Sequence, residues 1–172
     1  AAKVFAYLDE SDSDRAEAIL QRLLADPEAT IESVTRTIQT GRSYGPQPVG
    51  AMPEEEIVVR DRPYHYALSV PLAYQPDKGY GLVLCLHGAG FSGDAYLERW
   101  QSRLGDDYIL ACPTYPAGAW FTRRAEELVL AVLERVQQRY HVDPDRVILT
   151  GMSNGGIGTW LIGMHNATRF AG

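Results

Sequence analysis

The stretch RVILTGMSNGGIGTW (146–160) constrains the chain more than any other. A β-branched apolar run stops at a Gly-Met-Ser-Asn-Gly turn, and a helical pattern follows. A chain that passes from strand to helix so quickly must turn sharply. The turn forces Ser153 into a strained conformation, and Gly151 and Gly155 must be small so that strand and helix can approach. The Ser153 hydroxyl then stands clear of the backbone beside a helix N-terminus, where free N–H groups stabilise negative charge. G-x-S-x-G in this setting is the pattern of a nucleophile elbow.

The rest of the chain supplies the setting. Ala16, Ile19, Leu20, Leu23 and Leu24 recur at helical spacing after SDSD, whose side chains can cap a helix. Asp26-Pro27 reads as the cap and first position of a second helix with Ile31, Val34 and Ile38 on one face, stopped by Gly41. Residues 1–40 are therefore expected to form a helical extension, and the Gly/Pro-rich residues 41–53 a linker. From residue 54 the pattern is β, β, then β-α-β-α-β-α. EEIVVRD and YHYALSVP read as strands joined by a hairpin turn at Arg62-Pro63. YGLVLCLHG and DYILACP are continuous apolar strands, as expected where both sheet faces are covered. Thr122 caps a long helix whose buried stripe is Ala125, Leu128, Val129, Val132, Leu133, Val136 and Tyr140. HVDPDR reads as a turn before the strand VILTG. The order predicts an α/β fold, a mostly parallel sheet with helices on both faces, over residues 54–172.

Ligands bind beyond the carboxyl ends of the strands in such sheets, and the two Gly-rich turns, LHGAG (86–90) and TGMSNGG (150–156), fall there. The N–H of Asn154 is placed to meet the oxyanion formed when Ser153 attacks a carbonyl, and by position the second donor is the N–H of Ala89. His87 precedes the serine, so its expected role is to brace the turn around Gly88 through hydrogen bonds to backbone.

With these motifs in view, residues 80–172 resemble the first half of an α/β-hydrolase. They are most similar to its esterase and depolymerase branch: carboxylesterases and phospholipases, feruloyl and acetyl-xylan esterases, and polyhydroxybutyrate-depolymerase-like proteins. The resemblance rests on LVLCLHGAG, ILACPTYPAGAWF, HVDPDRVILTGMSNGG and the terminal ATRFAG, which is similar to the segment leading into the family's sixth strand. It implies Ser153 as nucleophile, Ala89 and Asn154 as oxyanion donors, and ester hydrolysis without metal or cofactor. Trp120 and Phe121 fall where the family lines its acyl or alcohol pocket, and core aromatics are the equal alternative. The substrate would be a small or polymeric ester; an amide, and so a serine peptidase, stays open.

One departure stands out. The family's acid and histidine follow the sixth to eighth strands. His165 lies twelve positions after Ser153, about 18 Å along a helix, and His65 and His141 belong to other parts of the sheet. The sequence therefore reads as the N-terminal part of a longer hydrolase, inactive by itself. The alternative is an interaction module that pairs with another chain. VILTG is expected to be an uncovered sheet edge, open to self-association. A net charge of −6 with no basic cluster argues against nucleic acid, and no apolar run is long enough to span a bilayer. Composition is that of an ordinary soluble globular chain. Cys85 and Cys112 read as buried free thiols; two cysteines leave the compartment open.

Overall fold

Continuous apolar runs become the central strands. Tyr80–Leu86 (β3) is buried at every residue, and in Tyr108–Pro113 (β4) only Tyr108 is partly exposed. The computed structural model describes residues 2–10 and 12–172, with the side chains of Gln39 and Thr40 left out. The other strands are β1 (Gly50–Val59), β2 (Arg62–Val70) and β5 (Val142–Gly151), in the order β1-β2-β4-β3-β5. β3 pairs in parallel with β4 and β5, β2 is antiparallel to β4, and β1 is antiparallel to β2. Only β2 therefore runs against the rest.

Helices cover both faces, as expected of a sheet whose inner strands have no polar side. Gly93–Trp100 (α4) packs Tyr96 and Leu97 against Val83, Cys85, Leu110 and Cys112 on one face. Arg123–Arg139 (α5) and Asn154–His165 (α6) cover the other with Leu128, Val132, Val136 and Ile162 over Leu82, Leu84 and Leu86. The Thr122 side chain accepts a hydrogen bond from the Ala125 N–H, and the expected stripe of α5 is wholly buried. Cys85 and Cys112 are buried free thiols, and burial beside Cys85 pushes the Cys112 thiol well above its ordinary range.

The residues divide into two compact units between Tyr44 and Gly45, within the stretch expected to be a linker. The first unit contains three helices rather than two: Ala2–Asp9 (α1), Ser13–Leu24 (α2) and Ile31–Thr40 (α3). Asp26 does not cap α3. Its carboxylate accepts from the Glu28 N–H and from Lys3, and its carbonyl accepts from the Ala29 N–H, so Asp26-Pro27 belongs to a turn. Thr30 is the cap instead, accepting from the Ser33 N–H. Gly41 ends α3 with φ 75°.

Four further expectations are corrected in the second unit. β1 starts at Gly50, before residue 54. The hairpin turn is Arg60-Asp61, both at positive φ (48° and 61°), the left-handed pair whose twist suits a two-residue hairpin. Arg62 and Pro63 open β2, and Pro63 lies outside the ladder that β2 forms with β4. Asp143–Arg146 is a bulge inside β5 rather than a turn before it: Tyr80 pairs with Val142, then Leu82 with Val147. Finally, β5 ends the strand order but its outer edge is partly occupied. After α6 the chain returns along it, the Ala171 N–H donating to the Val147 carbonyl at 2.7 Å and the Leu149 N–H to the Gly172 carbonyl at 2.8 Å.

Candidate active site

The strand order brings the two Gly-rich turns together. β3 and β5 are neighbours, in register so that Leu86 faces Gly151, and each strand ends in one of the turns. The Met152 N–H donates to the Leu86 carbonyl at 3.3 Å. Ser153 follows with φ 57° and ψ −121°, a conformation rare for a residue with a side chain. It is exposed, it precedes α6 immediately, and its hydroxyl makes no capping hydrogen bond to the helix.

Close approach explains the glycines. A Cβ on Gly151 would lie 2.4 Å from the Gly155 carbonyl group, and one on Gly155 would lie 2.0 Å from the Leu86 carbonyl oxygen. A Cβ on Gly88 would come 3.5 Å from the Ser153 Cβ, so the HGAG turn lies directly beside the serine. The Gly88 N–H is already used, donating to the Tyr96 hydroxyl at 3.1 Å. Among the described residues, the N–H groups of Ala89 and Asn154 donate to no protein acceptor. These two free donors flank Ser153, one on each turn.

His87 is wholly buried. Its Nε2 accepts from the Tyr115 N–H at 3.1 Å, so its proton sits on Nδ1, which donates to the Gly88 carbonyl at 2.8 Å. Burial lowers its pKa, opposed by the Gly88 carbonyl, and the ring is held neutral. Both ring nitrogens are thus spent on backbone. Because a trans peptide points its C=O and N–H in opposite directions, anchoring the Gly88 oxygen also sets the direction of the Ala89 N–H.

No other histidine comes near. His65 lies on β2, three strand spacings from β5, or about 14 Å. His141 sits at the amino end of β5 against the Pro76 carbonyl. His165 ends α6, its Nδ1 3.3 Å from the Glu126 carboxylate.

Trp120 is fully buried and its indole N–H donates to the His87 carbonyl at 2.7 Å. It forms the floor of an open cleft of about 470 Å³ between α5 and α6, rimmed by Phe121, Arg123, Glu126, Leu161 and His165. Leu161 and His165 place that cleft along the second half of α6, away from Ser153. Tyr96 and Trp120 tie down the HGAG turn by hydrogen bonds to its peptide groups. Trp120 lies in the stretch ILACPTYPAGAWF, expected as pocket wall or core, whereas no motif marks Tyr96 as a partner of the turn. Among the described residues no group of three or more His, Cys, Asp or Glu is placed to hold a metal ion, and no helix is long and apolar enough to cross a membrane.

No family model matches the chain. It is 28% identical over 165 residues to a probable feruloyl esterase C of Aspergillus terreus, covering 89% of this chain and 58% of that protein. The crystal structure of a thermostable esterase superposes with a TM-score of 0.54 at 27% identity, over 69% of this chain and 38% of the other. The chain has the α/β-hydrolase fold and is similar to its esterase-like members. The fold extends to more distant members: a fluorophosphonate-binding serine hydrolase of Staphylococcus aureus matches with a TM-score of 0.62 at 15% identity, over 73% of this chain and 55% of the other. The chain spans little more than half the length of the curated relative it matches.

Proposed function

We propose that this α/β-hydrolase cleaves carboxylic esters through an acyl-enzyme on Ser153. The observation that carries the reading is the backbone of Ser153: a strained residue between β5 and α6, with its hydroxyl uncommitted and two free N–H donors on either side. The Ser153 Oγ attacks the ester carbonyl carbon and gives its proton to a general base. The carbonyl oxygen becomes an oxyanion that accepts from the Ala89 and Asn154 N–H groups. The intermediate collapses, the C–O bond to the alcohol breaks, and the alcohol leaves with the proton. Water then attacks the acyl carbon, giving a proton to the base; the bond from that carbon to the Ser153 Oγ breaks, the carboxylic acid leaves, and the proton returns to the serine oxygen. Because His87 is committed and His65, His141 and His165 are remote, the base and its orienting acid come from outside these 172 residues, in keeping with the greater length of the relatives. The esterase names of the two relatives at 27–28% identity support an ester rather than an amide.

The test is covalent labelling of the intact protein with a fluorophosphonate, alongside hydrolysis of p-nitrophenyl esters. Wild type is expected to be labelled and active, and Ser153→Ala neither. A wild type that takes no label overturns the reading. The commitment of His87 to backbone and the remoteness of His65, His141 and His165 favour a second reading, a non-catalytic module that pairs with another chain; it predicts neither label nor turnover in the intact protein.

A further inference from the structure

The turn between β4 and α5 touches the HGAG turn at more points than packing alone requires. The Tyr115 N–H selects the His87 tautomer, and the Trp120 indole holds the His87 carbonyl. Between them, Ala117 and Gly118 both adopt positive φ, 54° and 60°. A Cβ on Gly118 would lie 3.2 Å from the Ala89 nitrogen and equally 3.2 Å from the Gly88 carbonyl carbon and oxygen. Equal spacing from all three atoms means that it would sit over the face of the Gly88–Ala89 peptide. That peptide carries the free Ala89 N–H. Trp120 also packs on α6, where a Cβ on Gly158 would come 2.2 Å from the Trp120 Cβ. One turn thus contacts both the HGAG turn and the helix that follows Ser153.

We propose that Gly118 is a positioning residue for the oxyanion donor: bare of a side chain, it lets the β4–α5 turn lie flat on the Gly88–Ala89 peptide and hold the Ala89 N–H in place beside Ser153. The assignment rests on the ester-hydrolase reading above. Glycine is required there on two counts. Its left-handed φ suits glycine, and any side chain must push the peptide plane by a few tenths of an ångström. A peptide tilted by that amount still binds a ground-state ester, because the donor meets its partner fully only when the oxygen carries charge. Losing an oxyanion donor outright lowers kcat about 100- to 1,000-fold, so tilting one should cost less.

The test compares wild type, Gly118→Ala and Trp120→Phe in the intact protein. Trp120→Phe keeps an aromatic ring against Gly158, removes the indole N–H and shortens the buried side chain. The readouts are kcat and KM for a p-nitrophenyl ester, and the inhibition constant of a trifluoromethyl ketone whose hemiketal oxyanion mimics the intermediate. Gly118→Ala is expected to lower kcat about 10- to 100-fold, leave KM within about threefold, and weaken the ketone in parallel with kcat. Trp120→Phe shifts the same parameters in the same direction, less strongly. If Gly118→Ala does not fold, as judged by circular dichroism, Trp120→Phe decides alone. A folded variant with wild-type kcat, or one whose ketone affinity is unchanged while kcat falls, overturns the assignment. An inactive, unlabelled wild type instead overturns the ester-hydrolase reading, and this assignment with it.

Discussion

Gly155 presses its backbone so tightly onto the end of β3 that a Cβ would stand 2.0 Å from the Leu86 carbonyl oxygen. The obstacle is backbone on both sides, so no flexible side chain can give way. Strand β5 and helix α6 would have to separate from β3, disturbing the contact that seats Ser153 beside Gly88. Gly155→Ala is therefore expected to cost about 3 kcal/mol or more, the upper end of overpacking penalties. A fall in the chemical-denaturation midpoint, with weaker fluorophosphonate labelling, is the predicted result. A midpoint within error of wild type would show that the elbow can relax without separating from β3.

Tyr96 holds the HGAG turn from the opposite side, its hydroxyl accepting from the Gly88 N–H. Tyr96 is buried and Gly88 is buried, so Tyr96→Phe leaves a donor with no water to take its place. The expected loss is about 1–3 kcal/mol of stability, the cost of an unsatisfied buried group. Urea denaturation measures it. A smaller effect would mean that the turn moves enough to hydrate its amide.

Much of the architecture was legible because it follows from burial. Leu82–Leu86 and Ile109–Cys112 are apolar without alternation, which only a doubly covered sheet accommodates. The elbow was legible because Gly151 and Gly155 are sterically obligatory around a strand-to-helix turn. What escaped notice depends on partners distant in sequence. Asp26 looks like a helix cap until Lys3 and the Glu28 amide are seen to occupy its carboxylate. Arg60-Asp61 form a left-handed hairpin turn with no glycine to announce it. Trp120 could be either core or pocket wall on sequence alone; its burial and its bond to His87 show it to be a brace under the HGAG turn.

α6 places Ile157, Trp160 and Met164 at helical spacing on one stripe, and Trp160 is 72% exposed. Beside that stripe, Leu149, Met164, Phe170 and their neighbours line an apolar groove of about 400 Å³. Contiguous apolar surface of this kind drives association when nothing covers it. The 172-residue chain alone is therefore proposed to self-associate through α6 rather than through the β5 edge, which Ala171 and Gly172 partly occupy. Sedimentation velocity across the micromolar range should show oligomers for wild type and a shift toward monomer for Trp160→Glu. A wild-type chain that stays monomeric would refute this.

The buried His87 makes a specific prediction about pH. Its ordinary pKa is 6.5 and burial lowers the folded value, so between the two the unfolded chain binds more protons than the folded one. Stability then rises with pH across that window. The contribution is complete above about pH 6.5 and is lost as pH falls toward the folded value. Protonation would also put a hydrogen on Nε2, which now accepts from the Tyr115 N–H, and so set two donors against each other under the HGAG turn. Thermal unfolding between neutral and mildly acidic pH should show the midpoint dropping below pH 6.5. His87→Gln keeps a donor and an acceptor but does not titrate, while His65, His141 and His165 remain in both proteins. Its midpoint should therefore fall less steeply over the same range. Identical slopes for the two proteins would mean that His87 does not govern this pH dependence.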